Sequence, residues 1–262
     1  YGPDATLVGG EAKYYPCLFD HEFIPQVADL EALVDDRTVA ILYNFPSNPT
    51  GGTLNEQQRD DLLAFAAKHD LWIISDEVYD RIVFETEHVS FMGTGYDKLM
   101  VVNSFSKTFA MTGWRIGYIV STNLEAMKQV VKIQYYISAC SNDAMQYAVL
   151  EAMEKANDYP SMMATEFQKR CKLIVDRLNA MPGVQCHQPK GSIYVFPKVD
   201  VPGMSSEDVA LELLKDGVLC SPGSAFGPSG EGHLRFAYTI GQDDIARGMD
   251  KVEATLTRLQ QG

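Results

Sequence analysis

Short apolar runs that end in polar turns, each followed by a stretch of helix length, recur up to about residue 155 of this chain. Val39-Ala40-Ile41-Leu42-Tyr43 runs into the turn Pro46-Ser47-Asn48-Pro49-Thr50-Gly51-Gly52. A helix is predicted over residues 55–69, with Thr53 and Glu56, or Asn55 and Gln58, as its capping box. Residues 71–74 (Leu-Trp-Ile-Ile) read as a buried strand that Asp76-Glu77 breaks. Residues 99–102 and 116–120 read as further strands, and helices are predicted over 124–138 and 142–155. Strands and helices that alternate this way build a mostly parallel sheet sandwiched by helices, an α/β class.

The pattern changes near Asp158. A long helix over 159–181 stops at Pro182-Gly183, and short strands follow near 184–187 and 193–196. Then come a helix over 206–215, strands near 218–221 and 234–238, and a last helix. In that helix Ile245, Met249, Val252, Leu256 and Leu259 form one apolar stripe. The expectation is two domains: a large one over 1–157 and a smaller α+β one over 158–262.

Charge and cysteines narrow the partners. The formal net charge is −13, which repels phosphate backbones and argues against nucleic-acid binding, though not against a local pocket for one small anion. Cys17, Cys140, Cys171, Cys186 and Cys220 are odd in number and scattered, with no zinc-ligand spacing. Free thiols in a reducing cytoplasm are expected, and no metal site. No apolar run reaches membrane-span length, and residues 1–4 lack a signal-peptide start. The chain begins at Tyr1 and not at Met, which points to a fragment or a processed form.

Four segments carry chemistry. The richest is Ser104-Phe105-Ser106-Lys107-Thr108, continuing to Gly113-Trp114-Arg115-Ile116-Gly117. It follows a predicted strand, where α/β sheets place ligands. Its hydroxyls and guanidinium suit a phosphate. Lys107 becomes a nucleophile if desolvation and nearby cations lower its pKa; the alternative is a solvated loop lysine. Asp76 follows a buried strand and suits a cationic ring nitrogen. Unit charges about 4 Å apart gain about 4 kcal/mol at an effective dielectric of 20. Asp76 reads equally as a helix N-cap. Asn48-Pro49-Thr50-Gly51 is either a plain turn or a rigid strand end whose Asn48 donates to a ligand oxygen, with an X-Pro bond open to the cis form. Arg235, within Leu234-Arg235-Phe236-Ala237-Tyr238, needs an anion: a structural ion pair or a substrate carboxylate.

Together these segments resemble the class I/II aminotransferases of pyridoxal-phosphate (PLP) fold type I. The similarity is carried by Asn48-Pro49-Thr50-Gly51, Asp76-Glu77-Val78-Tyr79, Ser104-Phe105-Ser106-Lys107 with Arg115, and Leu234-Arg235-Phe236-Ala237-Tyr238. The wording is most similar to the branch of aspartate, aromatic and N-acetyl-diaminopimelate aminotransferases. The resemblance implies roles. Lys107 would hold PLP as a Schiff base and move the proton between substrate and cofactor. Asp76 would pair with the pyridinium nitrogen, and Tyr79 and Asn48 would bond the ring oxygen. Ser104, Ser106 and Arg115 would hold the phosphate, and Arg235, beside Asn48, the substrate carboxylate. An amino acid and a 2-oxo acid would react in ping-pong fashion.

The resemblance also implies what is not here. Family members carry a preceding segment with a phosphate-binding helix start and a ring-stacking aromatic, and they take a tyrosine from the partner of a homodimer. The 262-residue chain by itself is therefore expected to be impaired. Two other readings stand: a fold type I lyase or synthase such as a carbon–sulfur β-lyase, and a non-enzymatic PLP-binding regulatory domain. Side-chain preference is not set, because no second arginine falls in an assignable motif. Tyr194, in Gly191-Ser192-Ile193-Tyr194, reads as a residue near the substrate or as a packed core tyrosine.

Overall fold

A computed structural model describes residues 1–261. Helices α1 (Gly2–Leu7) and α2 (Val27–Leu33) precede the first strand. There follow β1 (Ala40–Asn44), α3 (Glu56–Lys68), β2 (Trp72–Asp76), β3 (Leu99–Ser104), α4 (Phe105–Thr108), β4 (Gly117–Val120), α5 (Leu124–Ser138) and α6 (Asp143–Lys155). The four strands form one sheet in the order β1-β2-β3-β4. The β1–β2 and β2–β3 pairs are parallel, and β3–β4 is antiparallel. Of the two capping boxes predicted for α3, Asn55 with Gln58 forms. The register sets Asn44 beside Asp76, and β3 runs on to Asn103 and Ser104, so polar strand ends gather along one edge.

The second half contains α7 (Tyr159–Asn179), β5 (Val184–Gln185), β6 (Tyr194–Val195), β7 (Lys198–Val199), α8 (Ser206–Lys215), β8 (Ser221–Pro222), β9 (Leu234–Ala237) and α9 (Gln242–Gln261). Its strands are short and antiparallel, in the orders β5-β7 and β6-β9-β8. The strand expected over 218–221 shrinks to its end. Val218 donates its amide to Leu213 O at 2.9 Å and so closes α8 instead of joining a ladder, and Leu219 is 82% exposed. The long helix stops at Asn179, two residues early, because its last amides bond three residues back.

Two apolar clusters result. One joins α3 to β1, β2 and β3 through Tyr43, Leu62, Phe65, Ile73 and Val101. The other joins α7, α8 and α9 to the small sheets. The α9 stripe lies in this second cluster as expected, with Ile245, Met249, Val252 and Leu256 buried and Leu259 at its border. Tyr79, Ile82 and Phe84 also belong to it. Residues 82–84 pair with residues 190–192: Ser192 donates to Ile82 O, and Phe84 to Lys190 O, each at 2.8 Å. The turn after β2 is thereby bound to the second half of the chain. On the other side, β4 is exposed along its length, and α5 buries no residue although it carries Val131, Ile133, Tyr135, Tyr136 and Ile137.

Leu256 is 1% exposed and Leu211 is 51% exposed. Leu256→Ala is expected to cost about 2–5 kcal/mol in urea unfolding, and Leu211→Ala about 0.5 kcal/mol or less. Equal losses would contradict this packing.

Candidate active site

The site begins where β1 and β2 end. Asn44 donates its Nδ2 to Asp76 O at 3.1 Å and accepts the Asn48 amide on Oδ1 at 2.8 Å. One side chain thus fastens the 45–52 turn to the end of the next strand. The Phe45-Pro46 and Asn48-Pro49 bonds are both cis. Gly51 sits at φ +71, and its carbonyl accepts the amides of Lys190 and Gly191 at 3.0 and 3.1 Å. A Cβ there would lie 2.5 Å from Pro189 Cβ and 3.0 Å from Gly191 O, so the turn docks only with glycine.

That docking brings Asn48 to Arg235, which are 187 positions apart. Arg235 donates Nη1 to Asn48 Oδ1 at 2.9 Å and Nη2 to Ser221 Oγ at 3.0 Å. Its guanidinium lies 4.4 Å from the Tyr194 ring centre and 4.8 Å from that of Phe226. Among the described residues no carboxylate lies within 4.0 Å of it, and its buried Nε has no partner. The structural ion pair considered from the sequence is therefore absent. Asn48 Oδ1 is taken by Arg235, which leaves its Nδ2 as the donor for a ligand.

Asp76 is half-buried and starts a turn, not a helix: Oδ1 accepts the Val78 amide at 3.1 Å, and Oδ2 accepts from the Tyr1 hydroxyl. Tyr79 is buried and donates its hydroxyl to Tyr194 Oη at 3.3 Å. Burial, and then the Tyr194 contact, raise the Tyr79 pKa, so the phenol stays protonated. Tyr194 thus combines the two readings open for it: half-buried, it touches both Tyr79 and Arg235.

Lys107 lies on α4 and not in a loop, and it is half-buried, with Nζ 5.7 Å from the Tyr79 ring centre. Ser104 caps α4 by accepting the Ser106 amide at 3.0 Å, and its Oγ donates to Ile116 O at 3.1 Å. Ser106 is buried. Arg115, next to Ile116, has φ 54 and is exposed; its Nη1 donates to Thr112 O at 2.8 Å. Contacts therefore join Asn48, Asp76, Tyr79, Lys107 and Arg235, with Ser104 and Ser106 on the same short helix as Lys107. The Arg115 side chain bonds back to its own turn and does not bond to either serine. Sequence reasoning missed Asn44, Ser221 and Phe226. Their signals were weak: an Asn ending an apolar run, and a Ser and a Phe within Ser221-Pro222-Gly223-Ser224-Ala225-Phe226.

Residues 1–252 match the family model described as "Aminotransferase class I and II". The chain belongs to this family. It is 35% identical to an aspartate aminotransferase of Pyrococcus abyssi over 98% of this chain and 67% of that protein. It is 34% identical to aromatic-amino-acid aminotransferase 2 of Thermococcus litoralis, with the same coverage. A solved aromatic aminotransferase from Pyrococcus horikoshii superposes with a TM-score of 0.94 at 34% identity, covering 98% of this chain and 70% of that one. The chain thus spans about two thirds of these relatives. The fold is that of the PLP fold type I aminotransferases, and these relatives favour amino transfer over the lyase and regulatory readings.

PLP is the cofactor of this family, and the residues present fit it. Lys107 offers an amine and Asp76 a carboxylate at the strand ends, Tyr79 a protonated phenol, and Ser104 and Ser106 hydroxyls. Arg235 keeps an orphaned buried Nε, and neither it nor Lys107 nor Arg115 has an acidic partner within 4.0 Å among the described residues.

His233 supports the arginine from behind. Its ring stacks on Phe196 at 5.0 Å, and Phe196 meets Phe226 edge-on at 5.9 Å. Nδ1–H donates to Glu231 O at 3.1 Å, and the buried Nε2 has no partner. Burial holds the imidazole below its ordinary 6.5. The unfolded chain therefore takes up this proton first, so the stability due to neutral His233 is complete above 6.5 and is lost as pH falls below it. Melting temperature is expected to fall more steeply with acidification below 6.5 in the parent than in His233→Gln. Parallel curves would refute the neutral buried imidazole.

Proposed function

We propose that this protein transfers an amino group between an α-amino acid and a 2-oxo acid, with Lys107 as the lysine that holds PLP. The observation that carries this reading is Arg235. It is a planar cation clamped between Tyr194 and Phe226, bonded to Asn48 and Ser221, and free of any acidic partner among the described residues. Such a fork suits the α-carboxylate of an amino acid.

When bound, PLP supplies an electron sink for the charge that forms at the substrate α-carbon. The chain does the rest. Arg235 and Asn48 orient the substrate by its carboxylate. Lys107 Nζ takes the proton from the substrate Cα and would pass it to the cofactor, acting first as base and then as acid. Asp76 would keep the ring nitrogen protonated, and Tyr79 and Asn48 would donate to the ring oxygen. Ser104, Ser106 and Arg115 would bind the phosphate, which requires the Arg115 guanidinium to turn from its contact with Thr112 O.

The reading includes a large domain over 1–157 and a small one over 158–262; the two apolar clusters support it, although the second also takes in Tyr79, Ile82 and Phe84. It includes a homodimer, for which exposed apolar side chains on α5 and β4 provide a surface that calls for a cover. A cytoplasmic location fits five free cysteines, and no helix among the described residues is long and apolar enough to cross a membrane.

The test follows the visible band of the PLP-loaded complete protein while amino acids are added, starting with aspartate and the aromatic ones that the relatives' names suggest. Conversion to the pyridoxamine form and its reversal by a 2-oxo acid is the expected outcome; no conversion by any amino acid would favour the lyase or regulatory reading. Arg235→Lys keeps the charge and loses the fork. Its kcat/KM is expected to fall roughly tenfold or more, mainly through KM, the size of one charged hydrogen bond. An unchanged KM would remove Arg235 from the role.

A further inference from the structure

Beside Asp76 the chain carries a buried carboxylate that the proposed reaction does not use. The alternation of β2 buries Ile73 and Ser75, and Glu77 continues that face, while Asp76 lies on the other. Glu77 is 3% exposed. Its Oε1 accepts from Ser75 Oγ at 2.9 Å and from the Phe91 amide at 3.1 Å, and its Oε2 accepts from His88 Nε2 at 2.7 Å. Its own amide donates to Val102 O at 2.9 Å, which extends the β2–β3 ladder one residue past Asp76. A buried carboxylate without partners is costly. Among the described residues His88 is the one basic group within 4.0 Å. Burial pushes the Glu77 acid up, but the hydrogen bonds from His88, Ser90 and Ser75 outweigh it and hold the acid below its ordinary range.

We propose that Glu77 and His88 form a positioning pair, a buried acid–imidazole clasp that fixes the direction of the Asp76 carboxylate and the seat of Tyr79. The inference rests on the reading of Asp76 as the partner of the ring nitrogen. The clasp closes residues 77–91 into a loop whose far end is anchored in the core: the Phe91 ring stacks on Tyr43 at 5.3 Å, and Tyr43 is the register partner of Ser75. The middle of the loop, residues 82–84, pairs with residues 190–192, just before the Tyr194 that receives the Tyr79 hydroxyl. Both ends of the 76–79 turn are therefore held by one closed circuit. Glu77 faces the core and acts through Asp76.

The test uses the complete protein and three readouts: the PLP dissociation constant by titration, the pH midpoint of the bound cofactor's visible band, and melting temperature. His88→Ala is expected to weaken PLP binding about tenfold, equivalent to 1.4 kcal/mol, and to move the band midpoint toward the Asp76→Asn value. His88→Gln restores a donor and should recover most of both. A folded His88→Ala with parental affinity and an unmoved midpoint would overturn the proposal, even if its melting temperature drops. Should His88→Ala fail to fold, Glu77→Gln and Ser75→Ala report the same quantities; a shift in the same direction supports the clasp, and no shift in either overturns it. Asp76→Asn separates the two claims. If its midpoint shifts while the His88 variants do not, the clasp alone fails; if Asp76→Asn leaves the midpoint in place, the Asp76 reading fails with it.

Discussion

Parallel pairing of β1, β2 and β3 determines where the site is built. Parallel strands end on the same edge, and the register here sets Asn44 beside Asp76, with Ser104 closing β3 just before Lys107. Side chains alternate faces along a strand, so a slip of one residue would turn Asp76 into the core and put Glu77 in its place. Both are acids that accept from a hydroxyl and an amide, but only Glu77 also meets an imidazole, that of half-buried His88. Those donors add to the register preference that the apolar residues set. Each site contact in the first half follows from that edge.

The second half reaches the edge through backbone pairing. Gly51 admits residues 189–191, residues 82–84 pair with 190–192, and Tyr194 follows on β6 next to β9 and Arg235. The guanidinium ends up against Asn48 without an ion-pair partner among the described residues. The chain has 35 acidic residues against 22 lysines and arginines, a formal net charge of −13, so unpaired cations stand out against an acidic background. A site with net positive character suits a ligand with a phosphate and a carboxylate.

Local patterns were legible in the sequence. The limits of α5 and α8, the α9 stripe and the Asn55–Gln58 cap follow from short-range periodicity and capping chemistry. The residues proposed for the site lie in contiguous motifs at strand ends, which is why the sequence offers them as candidates. What stayed hidden depends on contacts between distant residues. Ser221 and Phe226 matter only because β8 and the turn after it meet Arg235. Glu77 looked like a strand breaker, since nothing nearby in sequence reveals that His88 and Phe91 return to it. Residues 218–220 looked like a strand because apolarity does not tell a ladder from the closing turn of a helix.

The central claim is that Lys107, and no other lysine, holds the cofactor. Borohydride reduction of the PLP-loaded complete protein, followed by peptide mapping, tests it directly. The account predicts a single pyridoxyl label on the peptide containing Ser104-Phe105-Ser106-Lys107. A label on any other lysine would contradict it.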